Sequence, residues 1–144
     1  MTPTITDIKT GFSVIYIAPK FMLRLPVGAA VWNTRKRWLS YEILHDEVER
    51  LLGERYGELS RLAEHSIESF VKQSYRQEVL PYAGDLIKPY TAKFWEHLRS
   101  LFSGAFRFSC PRAMADAETP SEAIEPILNL LKDEIERVII NPKF

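Results

Sequence analysis

Three histidines, one cysteine and a cation-rich aromatic turn are the residues here whose types could do chemistry or hold a partner. His45, His65 and His97 stand apart: no two are three or four residues from each other, the spacing that sets two imidazoles on one helical face for zinc or iron. His65 lies between Glu64 and Glu68, and His97 follows Glu96, so both read as helix-surface partners of carboxylates. Cys110, the sole cysteine, can form no intrachain disulfide, and its place between Phe108 and Pro111 at a strand end reads as packing. The chain has no Gly-x-Ser-x-Gly elbow, Walker-type loop or Gly-x-Gly-x-x-Gly, so acyl transfer and nucleotide chemistry lack their usual local geometry. No metal and no cofactor is expected.

The turn is richer. Trp32, Arg35, Lys36, Arg37 and Trp38 gather cations and aromatics at one hairpin tip, the combination that base stacking plus phosphate contact would use. The plainer alternative pairs the two tryptophans across the strands and leaves the charges in water. A protein-binding tip lies between the two.

The elements that must position these residues follow from periodicity. Phe12–Ile17, rich in β-branched and aromatic residues, reads as a strand ended by Pro19. Val27–Trp32 reads as a second strand covered on both faces, its small Gly28, Ala29 and Ala30 implying close approach of another element. Asn33–Arg37 is a polar turn, and Trp38–Ile43 alternates as a return strand with Leu39, Tyr41 and Ile43 on one face. Val48, Leu51, Leu52, Leu59, Leu62, Ala63, Ile67, Phe70 and Val71 predict a helix from about Asp46 to Lys72, which Gly53 and Gly57 could kink or divide. After a connector marked by Pro81, Gly84 and Pro89, the stripe Phe94, Leu98, Leu101, Phe102 predicts a second helix ending near Gly104. Residues 105–110 alternate as a strand returning to the sheet, ended by Ser109-Cys-Pro-Arg112. Thr119-Pro-Ser-Glu122 is a capping-box pattern for a terminal helix with the stripe Ile124, Ile127, Leu128, Leu131, Ile135, Val138; Pro126 implies a start near Glu125 or a kink.

The sum is an α+β fold: one domain over residues 1–144, a small antiparallel sheet of N-terminal hairpin strands plus one returning strand near 105–110, packed by about three helices. At this length a folded chain buries roughly 70% of the surface its unfolded form exposes, enough for a self-sufficient core. With 46% apolar and 12% aromatic residues the composition is globular. Balanced totals of 19 basic and 19 acidic residues give no net field towards nucleic acid or anionic lipid. Their distribution is polarised: residues 1–40 carry net +5 and residues 111–144 net −3, which permits head-to-tail self-association. No leader or membrane-spanning run is read from the sequence, and a cytoplasmic, bacterial protein is expected.

Two blocks of the sequence carry a resemblance. Phe12–Ile17 with Pro19, Val27-Gly28 leading into Ala29–Trp32, and the turn before Trp38-Leu39 form the first; Phe106–Ser109 with Pro111-Arg112, Asp116–Glu118, and the helix start with Glu122 and Leu128 form the second. On these the chain resembles a family of small bacterial proteins known as domain of unknown function 3037. Leu23 and Pro26 stand where that family usually has a glutamate and an asparagine. The family has no established activity; the resemblance implies an accessory or regulatory partner of a HipA-like protein kinase, because its members are often encoded beside one.

The expected function is therefore a noncatalytic protein-interaction module with a surface of Trp32, Arg35, Lys36, Arg37, Trp38 and Arg112. One alternative is a nucleic-acid-binding accessory protein using the same hairpin. Another is a hydrolase or nuclease whose site assembles from distant residues, with His45, His65 or His97 as acid or base.

Overall fold

The computed structural model describes residues 9–18, 24–76, 88–102 and 104–140. Strands β1 (Thr10–Ile17), β2 (Leu25–Asn33) and β3 (Trp38–Ile43) form an antiparallel meander. Helices α1 (His45–Leu52), α2 (Glu54–Arg76) and α3 (Ala92–Leu101) follow, then strands β4 (Phe106–Phe108) and β5 (Arg112–Ala113) and the helix α4 (Pro120–Ile140). The sheet order is β3-β2-β1-β4, with β5 also on β1. The α+β class with a small antiparallel sheet stands as read from the sequence. Pro19, Pro81 and Gly84, and the side chain of Val138, lie outside the described residues.

Helices cover both faces of the sheet. Ile15, Ile17, Ala30, Trp32 and Ile43 pack against Ala63, Ile67 and Val71 of α2 and Phe94, Trp95 and Leu98 of α3. Phe12, Val14, Val31 and Trp38 meet Ala123, Ile124, Leu128, Leu131 and Ile135 of α4 on the other side. Alternation along each strand sends successive side chains to opposite layers, so every residue of β2 from Val27 to Asn33 is buried. Gly28 shows why small residues sit there: a Cβ would stand 2.5 Å from the backbone oxygen of Glu42 on β3.

The helices follow the sequence expectation in part and depart from it in part. The long helix is two helices, divided at Gly53 as that glycine allowed; its φ of 101° lies where a side chain would be strained. The break shifts the helical phase, so α2 buries Ser60, Ala63 and Ile67 while Leu59 and Leu62 face out. In α3, Phe94 and Leu98 are buried as the expected stripe has them, while Trp95 outside it is fully buried and Leu101 within it is half exposed. The terminal helix starts at Pro120, as the capping-box pattern implied and not near Glu125, and continues through Pro126, capped by Thr119, whose hydroxyl accepts from Glu122 N at 3.2 Å.

The last difference concerns the strand expected to end at Ser109. Phe108 pairs with Ile15 and Arg112 with Phe12, so four steps on one strand oppose three on the other, a bulge after which pairing resumes as β5. Ser109 makes the bulge workable: its amide donates to Val14 O and its hydroxyl accepts from Val14 N, both at 2.8 Å, while Ser13 Oγ donates to Ser109 O.

Candidate interaction surface

Asn33 opposes Trp38, which leaves Thr34–Arg37 as a four-residue hairpin loop with all four residues exposed. Beneath the loop sits a buried polar knot. Asn33, 2% exposed, accepts from Lys36 N through Oδ1 at 2.7 Å and donates from Nδ2 to Thr10 Oγ1 at 2.8 Å. The Thr10 hydroxyl donates in turn to the Asp116 carboxylate, which also lies 3.5 Å from Asn33 Nδ2. Thr34 adds two ties from the loop itself, its amide to Lys9 O at 2.8 Å and its hydroxyl to Tyr90 O at 2.9 Å. The loop is thus anchored to β1, to the segment before α4 and to the entry of α3.

Arg37 closes the loop with φ of 58°, and among the described residues it is the one non-glycine residue in the left-handed region. That conformation costs an ordinary L-residue about 1–2 kcal/mol. Arg35, Lys36, Arg37 and, beside the loop, Lys9 make no ion pair among the described residues, and neither does Arg112. Several cations elsewhere are matched: Arg50 with Glu136, Arg61 with Glu49 at 3.5 Å, Lys72 with Glu68 at 3.0 Å, Arg99 with Glu96 at 2.8 Å. Arg112 is exposed in β5 and opposes Phe12, which itself opposes Val31, so it lies about 10 Å, two strand spacings, from the β2 arm of the hairpin.

The two tryptophans do not belong to this surface as expected. Trp32 is fully buried and stacks on Trp95 of α3, whereas Trp38 is half-buried and packs under α4. They are not a cross-strand pair either: Trp32 opposes Leu39 and Trp38 opposes Asn33, so the one-residue offset sends them to opposite faces of the sheet. Both indole N–H groups are buried without a hydrogen-bond acceptor among the described residues.

The remaining candidates separate by burial. His65 and His97 are exposed on helix surfaces, and Cys110 is exposed rather than packed, its Sγ 4.0 Å from Glu96 Oε2. Among the described residues His45 makes the one arrangement that resembles a catalytic set, and no local spacing points to it because Ser60 and Glu64 reach it from α2. Ser60 is fully buried and donates to Gly57 O at 2.7 Å, so it accepts from His45 Nδ1, also at 2.7 Å. His45 Nε2 lies 2.6 Å from Glu64 Oε2. With both ring nitrogens engaged and the hydroxyl committed to a helix carbonyl, this is a clamp between α1 and α2, not a nucleophile with its base. The adjoining cleft of about 330 Å³ is lined by Glu42, Asp46 and Glu47 together with Arg61 and Lys132, charges of both signs. Nearby, burial and the carboxylates of Glu68 and Glu64 push the Tyr41 phenol above its ordinary pKa.

Among the described residues no cluster of three or more His, Cys, Asp or Glu side chains could hold a metal ion, and no helix is long and apolar enough to cross a membrane. What the fold and its surface define is a three-layer α+β domain whose sheet carries an anchored basic hairpin. Compared with protein-family models, curated proteins and solved structures, the chain finds no match.

Proposed function

We propose that this domain is a noncatalytic interaction module that docks an acidic surface of a partner protein through the hairpin tip Thr34–Arg37, with Arg112 on its flank. The observation that carries this is the set of unpaired cations held on an anchored turn, with Arg37 kept in a conformation that glycine or asparagine would adopt at lower cost. An anchored loop loses little entropy on binding, which leaves more of the charge–charge attraction as affinity.

Burial of Trp32 and packing of Trp38 under α4 weigh against the nucleic-acid alternative, since single-strand binding draws much of its energy from exposed aromatic faces. The engaged nitrogens of His45 weigh against the hydrolase alternative. The resemblance to domain of unknown function 3037 makes a HipA-like kinase in the bacterial cytoplasm the first partner to try.

The test is capture of partners by the tagged protein from its native host, with and without nuclease, read by mass spectrometry. A stoichiometric protein that survives nuclease and is released by salt supports the proposal. Recovery that vanishes with nuclease replaces it with phosphate contact by the same cations.

A further inference from the structure

The basic tip does not stand alone at its end of the molecule. Asp116, tied to Thr10 and close to Asn33, sets the start of an acidic strip that continues through Glu118, Glu122 and Glu125, all exposed. Glu122 and Glu125 are one turn apart on α4, the second about 7 Å along the axis from Pro120. The Glu122 carboxylate accepts from the Glu118 amide, N to Oε2 at 3.3 Å. Among the described residues none of Glu118, Glu122 and Glu125 pairs with a cation, and none of Arg35, Lys36 and Arg37 pairs with an acid. Three cations and three carboxylates, none of them in an ion pair among the described residues, therefore lie on segments joined by the Thr10–Asn33–Asp116 knot.

We infer that this end binds a second copy of the chain about a twofold axis, the tip Arg35–Arg37 of each protomer meeting the strip Glu118–Glu125 of its partner. A twofold axis suits a patch that carries both halves of a complementary pair, because one docking event forms both contacts and closes the assembly at two chains. The inference rests on the proposal that the tip is a docking surface, and it names the occupant by charge complementarity. The knot fixes the offset between the two patches, which sets the register of the pairing.

Sedimentation equilibrium over a range of protein concentrations tests this on the full chain. The wild type is expected to dimerise in low salt and to dissociate as salt rises. R35E/R37E and E122K/E125K are each expected to weaken the dimer about tenfold or more, and mixing the two variants is expected to restore it, because both contacts become complementary again in the mixed pair. A wild type that stays monomeric in low salt, or a dimer indifferent to both variants, overturns the inference, as does failure of two folded variants to rescue each other. If the wild type is monomeric but still captures a nuclease-resistant partner in a tip-dependent way, only the second-copy inference falls. If neither association depends on the tip, the docking proposal falls with it.

Discussion

Trp32 lies stacked on Trp95 with ring centroids 5.9 Å apart and planes 11° from parallel, joining β2 to α3 at the centre of one core layer. Trp95 is fixed from its other side by a 2.8 Å bond from Nε1 to Pro89 O and by Phe94 and Phe108. Trp32→Ala is expected to destabilise the domain by about 3–5 kcal/mol in chemical denaturation, as large aromatic truncations in cores do. Trp32→Phe should cost less and, where folded, should bind the partner like the wild type. Loss of binding by a folded Trp32→Phe variant would return Trp32 to the interface.

Asn33 ties the hairpin to β1 and to the segment before α4. Asn33→Ala leaves Lys36 N and the Thr10 hydroxyl short of a partner, and is expected to cost about 1–3 kcal/mol. It should also speed amide exchange at Lys36 and weaken partner binding, since the cations would no longer be held in one arrangement. Unchanged exchange at Lys36 would show that the knot does not anchor the loop.

Arg37 offers a trade between stability and binding. Arg37→Gly removes the left-handed strain and is expected to raise stability by up to about 1 kcal/mol while weakening partner capture. A variant that is both more stable and fully competent in binding would show that the strain serves no docking role.

Tyr41 gives the pH dependence a sign. Its phenol is held above the ordinary value first by burial, then by the charges of Glu68 and Glu64, so the folded state keeps a proton that the unfolded state releases. Its contribution to stability is complete below the unfolded pKa and is lost as pH rises from about 10 through the folded value. Tyr41→Phe should flatten that alkaline decline in melting temperature. An identical alkaline profile for Tyr41→Phe would assign the decline to other groups.

How much of this was legible in the sequence depends on whether the signal was local. Alternation in Trp38–Ile43, the small residues around Gly28 and the Thr119-Pro-Ser-Glu122 cap each act within a few residues, and the structure follows them. Helical phase across Gly53 was not legible, because it depends on how α1 turns into α2, and so Leu59 and Leu62 were placed in the core although they are exposed. Residue type pointed to the tip cations, but which way Trp32 and Trp38 face is set by pairing register, a nonlocal quantity. The His45–Ser60–Glu64 clamp and the Thr10–Asn33–Asp116 knot join residues far apart in sequence, and no spacing rule reaches them.

Arg35, Lys36 and Arg37 are expected to hold a partner protein. Comparing nuclease-treated capture by the wild type and by R35E/K36E/R37E, each first shown to unfold at the same temperature, tests it most directly. Charge reversal in an exposed turn changes stability by only about 0.5 kcal/mol, so the fold is expected to survive. A stoichiometric protein is expected in the wild-type sample, falling by about tenfold or more in the variant. Equal recovery of the same protein by both would contradict it.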